Sequence, residues 1–217
     1  MKLSFNERKQ AIYLALGCGI IGSFTYPIMT SYHRNDIWSL LMEITFGPLF
    51  IISCLGFYLF IRRHGNSIYN IVGLVFLAFA GFCNTLMFNV QKAIYSSVSD
   101  YRKLTSQLSK EIFERSFEIG NLTQLAMDFC FDIFVSFGTL FLSIAIFKQK
   151  KLSRWLAIVG MLVSTVGLYL NLSTFPEPPA DLKLPDPGPF FGFFFGLLIL
   201  NMIYIIIKSK YNGTSWI

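Results

Sequence analysis

Long apolar runs alternate along the chain with short polar breaks. A helix needs about 20 apolar residues to cross ~30 Å of hydrocarbon. Six runs meet that length, roughly 11–30, 37–61, 67–90, 121–147, 155–174 and 189–207. The sharpest breaks are Arg62-Arg63-His64-Gly65-Asn66, Lys148-Gln149-Lys150-Lys151, and the proline-rich stretch from Pro176 to Pro189. The pattern predicts an all-α fold, a six-transmembrane-helix bundle forming one membrane domain over 1–217. No small-x-small cleavage site follows the first run, and Tyr26-Pro27 stands where one belongs, so that run is expected to be a retained helix.

One long polar segment, 91–120, separates the third and fourth runs. Leu104, Leu108, Ile112 and Phe113 recur there at helical spacing, and Glu111 sits four residues before Arg115. A helix over about 100–118 is expected, solvated and packed on the outer rim of the bundle. The alternatives are a helix lying on the membrane surface and a stalk that extends the fourth helix outward. The last connection, from Pro176 to Pro189, is expected to be extended and stiff because proline removes a donor and fixes φ.

Composition removes the soluble alternative. The residues are 54% hydrophobic and 14% charged, whereas soluble domains carry about a quarter charged residues. Mean hydropathy is +0.56. The net charge of +6 comes from residues at the ends of apolar runs, so it reads as an orientation signal and not as a nucleic-acid footprint. With the amino end placed inside, 11 Lys and Arg fall on the cytoplasmic side and 7 outside, five of the latter in 91–120. Both termini are therefore expected in the cytoplasm. Cys18, Cys54, Cys83 and Cys130 all lie in apolar runs, with no Cys-x-x-Cys pair and no histidine nearby; they are expected to be packing residues. His33 and His64 fall in short loops.

The candidate chemistry lies in polar residues inside the runs. A charge at mid-bilayer costs about 2.5–3.5 kcal/mol on insertion scales, so it faces protein or water rather than lipid. Glu43, Asp128 and Asp132 fall within predicted spans, the two aspartates one turn apart on one helix face. Asn84, Asn171 and Tyr169 lie at a similar depth, as do Tyr26, Asn89 and Gln124, with no basic residue expected among them. Carboxylates gathered there need protons, water from outside, or a bound cation. Pro48, after Gly47, removes a hydrogen bond from the carbonyl of Ile44 and is expected to kink the second helix one turn from Glu43. The alternatives are acids at headgroup level and purely structural hydrogen bonds between helices.

Two further patterns concern packing. Ile71-Val72-Gly73 recurs as Ile158-Val159-Gly160, and the same offset carries Asn84 onto Asn171, which suggests a parallel repeat of helices two-three and four-five. Gly192 with Gly196, Ala15 with Gly19, and Cys18 with Gly22 form small-x-x-x-small pairs, expected to mark close contacts within the bundle or else a homo-oligomer seam. No hydrolase, metalloprotease or phosphate-loop motif is present, so neither an enzyme nor a cofactor is expected.

Asn171-Leu-Ser-Thr-Phe-Pro-x-Pro-Pro, Asp186-Pro-Gly-Pro and Leu152-Ser-Arg-Trp-Leu-Ala-Ile-Val-Gly together resemble six-helix bacterial integral membrane proteins of unknown function. The resemblance covers mainly helices four to six. It implies a six-helix fold in a bacterial cytoplasmic membrane and assigns no activity. The function expected from the residues is an outward-facing acidic cavity that binds or transports a cation or an amine-bearing small molecule. Glu43, Asp128, Asp132, Asn84, Asn171 and Tyr169 would line it. The alternative is a structural or regulatory membrane subunit with no small-molecule ligand.

Overall fold

The computed structural model describes residues 5–31, 37–65, 67–101, 103–150 and 152–211. His33, Arg34, Asn66, Arg102, Lys151 and the side chain of Tyr26 lie outside what is described. Six α-helices follow one another: α1 (Phe5–Ser31), α2 (Ile37–His64), α3 (Ile68–Tyr101), α4 (Gln107–Phe147), α5 (Arg154–Thr174) and α6 (Gly188–Tyr211). A single 3-10 turn, Pro179–Leu182, interrupts the last connection, which is thus less extended than its prolines suggest.

Five of the helices, α2 to α6, are long and apolar enough to cross a membrane. In α1, Glu7, Arg8 and Lys9 occupy the first two turns before the apolar run begins. Large apolar side chains cover the bundle's outer surface, among them Phe24, Trp38, Phe79, Trp155, Leu162 and Phe193. On a soluble protein such a coat would be a liability, whereas hydrocarbon matches it. The chain is a multi-pass helical membrane protein.

Each helix packs on the next in sequence, and α6 also meets α1 and α2. The core runs down the middle through Phe57, Phe60, Leu77, Leu142, Phe194 and Met202. Small residues set the crossings, as packing in lipid favours. Gly47 of α2 lies against the carbonyl of Gly81 and against Thr85 on α3. At Gly73 an added Cβ would stand 2.9 Å from the amide nitrogen of Leu142 on α4. On α1, Ala15 packs on Gly56, and Gly19 on Ser53 and Ile199, as the small-residue pattern predicts. Gly192 and Gly196 differ: open space surrounds both, because α6 stands off from its neighbours on that face.

The outer segment also differs from its predicted form. α3 continues to Tyr101, and α4 starts at Gln107 and runs unbroken to Phe147. Residues 91–120 are therefore mostly extensions of two spans, joined by a short turn. Ile94 packs on Gly120, and the Tyr101 ring packs tilted against Phe113 with centroids 5.2 Å apart. A rim helix would leave those residues without their partners.

Candidate functional site

On α4, Asp128 and Asp132 share a face with Val135, Ser136 and Thr139, all three of which are buried. Helical spacing thus turns both carboxylates inward. α5 runs antiparallel beside α4, and Ser136 meets Gly167. Continuing that register brings Asn171 level with Asp132. The Asn171 amide donates to the Gly167 carbonyl at 3.0 Å, close beside the Asp132 carboxylate. The chain then leaves α5 at Phe175, whose ring lies 4.6 Å from that of Phe129. This contact fastens the last connection to α4. It returns Asp186 to within electrostatic range of both Asp128 and Asp132. Asp186 Oδ1 accepts the Gly188 amide at 2.8 Å at the start of α6.

Asp186 is thus within electrostatic range of Asp128 and Asp132, and Asn171 lies beside Asp132. Among the described residues, no lysine or arginine forms an ion pair with any of them. No group of three His, Cys, Asp or Glu among the described residues is arranged to hold a metal ion.

Next to the cluster, α1, α2, α4 and α6 enclose a cleft of about 440 Å³. Its walls are mostly apolar: Phe46, Phe50, Phe57, Phe131, Val135, Phe191 and Phe195, with Ser23, Ser53 and Cys18 as the polar minority. Phe131 precedes Asp132 in α4, and Gly188 and Pro189 of the α6 wall follow Asp186. None of the three carboxylates lines this cleft, whose walls are aromatic and apolar where an acidic lining was expected.

The other predicted site residues are distributed differently. Asn84 of α3 is buried, and its Oδ1 has no protein partner. Leu77 meets Gly138 and Gly73 meets Leu142, so the antiparallel register carries Asn84 to the level of Phe131. It lies at the cleft's depth, and both asparagines linked by the sequence offset are buried.

Glu43 has a cation after all. Lys92 Nζ lies 3.5 Å from Glu43 Oε1 and donates to Ser39 Oγ at 2.9 Å, while Ser39 donates to Glu43 at 3.0 Å. The expectation of no basic residue at this depth fails because α3 runs past its predicted end, carrying Lys92 alongside α2. Tyr169 is 70% exposed, on the α5 face it shares with Leu162, Val166 and Leu172, and points away from the cleft. α2 stays helical through Pro48, with Gly47 at the close crossing onto α3.

Sequence reasoning missed Asp186, Lys92 and the aromatic lining. Asp186 is 54 positions from Asp132 in a loop whose path only the fold sets. A line of buried hydroxyls on α4 (Ser136, Thr139 and Ser143) was also missed, although its spacing was there to be seen. Ser136 and Ser143 seat against Gly167 and Gly160, which gives them a packing role between α4 and α5.

The fold and this surface define a multi-pass helical membrane protein. Compared with known proteins, the chain matches no family model, no curated relative and no solved structure.

Proposed function

We propose that this protein binds an organic cation with an apolar body, and admits it from the side opposite its basic turns. The chain would cross a bacterial cytoplasmic membrane six times with both ends in the cytoplasm. What supports the reading is that Asp128, Asp132 and Asp186 lie within electrostatic range of one another, have no ion-pair partner among the described residues, and adjoin in sequence the lining of an aromatic cleft. The cleft falls in the size range of small-molecule sites, ~300–1,000 Å³. Phe46, Phe50 and Phe195 line the cleft, and aromatic rings suit an apolar body or a quaternary ammonium. The carboxylates supply the opposite charge in a setting where water screens it weakly. If the protein is a transporter, the same acids are where protons would exchange with the amine.

Thermal shift of the purified protein in detergent tests this against hydrophobic amines, quaternary ammonium ions and inorganic cations. A ligand at 100 times its Kd stabilises by about 2.7 kcal/mol. A shift with a hydrophobic amine is expected, lost in Asp132→Asn and kept in Glu43→Gln, whose carboxylate already has Lys92. A flat response to every amine, with Asp132→Asn as stable as wild type, sinks the reading. It would leave a ligand-free membrane subunit, which the exposed apolar stripe Leu108, Ile112 and Ile119 on the outer part of α4 favours as the second reading.

A further inference from the structure

At the other end of the bundle, Arg62 stands in the last turn of α2 and Ser67 directly precedes α3. The two helices part there into a groove of about 280 Å³, lined by Tyr58, Arg62, Ser67, Ile68, Asn70 and Ile71. Asn70 is buried, and its Nδ2 donates to the Tyr58 carbonyl at 2.9 Å, tying the start of α3 to α2. Its Oδ1 has no protein partner, so the groove wall is not self-satisfied. Arg62 Nη1 donates to Tyr58 Oη at 3.0 Å, and the guanidinium lies 5.7 Å from that ring's centroid. The charge is thereby held at the groove. Ile68 and Ile71, at 64% and 48% exposure, continue the groove with apolar surface along α3.

We propose that this groove binds a glycerophospholipid from the leaflet at the bundle's basic end. The phosphodiester sits on the Arg62 guanidinium and the Ser67 hydroxyl, and an acyl chain lies along Ile68 and Ile71. A guanidinium's planar fork matches phosphate oxygens. Arginine and tyrosine at a helix end lie at headgroup depth, and basic pockets between spans take lipid headgroups. The polar-to-apolar order along the groove is that of a phospholipid. The proposal does not rest on the amine cleft, with which the groove shares no lining residue.

The test uses the full chain in a nonionic detergent, with lipid retention counted by native mass spectrometry alongside thermal shift. The probes are phosphatidylglycerol, diacylglycerol with the same acyl chains, and inorganic phosphate. Phosphatidylglycerol should be retained and raise the melting temperature, whereas the other two should do neither. Arg62→Gln should weaken retention at least tenfold, and Lys148→Gln, whose ammonium lies 3.9 Å from the Tyr69 ring centroid, should leave it unchanged. Equal loss in both variants would show diffuse surface charge and overturn the site. Equal stabilisation by inorganic phosphate would overturn the lipid in favour of a small anion. If Arg62→Gln melts below wild type without lipid, Ser67→Ala carries the test, and unchanged retention there overturns the proposal.

Discussion

At the scale of single residues, the contrast between glycines gives the sharpest test of the packing. A methyl group at Gly47 meets the Gly81 backbone, which cannot swing aside as a side chain can. Overpacking of this kind costs about 1–3 kcal/mol. At Gly196 nothing lies within reach of an added Cβ. Gly47→Ala is therefore expected to lower the unfolding midpoint in a detergent melt, and Gly196→Ala to stay within about 0.5 kcal/mol of wild type. Equal effects would mean that α2 and α3 do not cross where described. Sequence alone does not separate these glycines. In a bilayer, core and lipid are both apolar, so the hydrophobic pattern fixes a residue's depth but loses the phase that tells inward from outward. Tyr169 shows the same loss: its depth agrees with Asn171, its face does not. Asp132 and Asn171 were legible because a polar side chain at that depth has to turn inward.

At the scale of elements, the α3–α4 hairpin is the largest departure from the pattern. The two helices have 34 and 41 residues, roughly 50 and 60 Å long against about 30 Å of hydrocarbon. Their apolar middles are plain in the sequence. The polar continuations are not, because polarity ends the membrane signal without ending the helix. Lys92 went unseen as a partner for Glu43 for that reason. A stalk and a helix lying on the membrane differ in one measurable contact. An added Cβ at Gly120 stands 3.1 Å from Ile94 Cγ1. With the four native cysteines replaced, Ile94→Cys combined with Gly120→Cys should form a disulfide under mild oxidation, read as a mobility shift that a reductant reverses. Pairing with no shift would place 107–120 away from α3. The tip has its own fastening, since Tyr101 Oη donates to Glu114 at 2.7 Å. That bond holds the phenol proton and raises the Tyr101 pKa above its ordinary 10.0.

At the scale of the whole molecule, the basic turns and the carboxylates lie toward opposite ends. Arg62, Arg63, Lys148 and Arg154 stand at the ends of α2, α4 and α5 that face one way. Asp128, Asp132 and Asp186 gather toward the other, where the hairpin projects. Positive charge in short connections is retained on the cytoplasmic side during insertion, so the basic turns set the direction. In the proposed orientation the carboxylates would face outward, toward water and any ligand it carries. Six crossings follow only if α1 also spans, and α1 is the least apolar of the helices because its first two turns carry charge. Its apolar run packs on α2 through Ala15, Gly19 and Gly56, the contact a crossing helix would make. Single cysteines in a cysteine-free background, labelled in intact cells with an impermeant thiol reagent, should separate the ends. Ile112→Cys at the hairpin should label from outside. Gln149→Cys and Glu7→Cys should label only after the membrane is opened. Labelling of Glu7→Cys from outside would mean that α1 does not cross, leaving five spans. Labelling of Gln149→Cys from outside would invert the molecule and turn the carboxylates toward the cytoplasm, so that any amine the protein binds would arrive from within the cell.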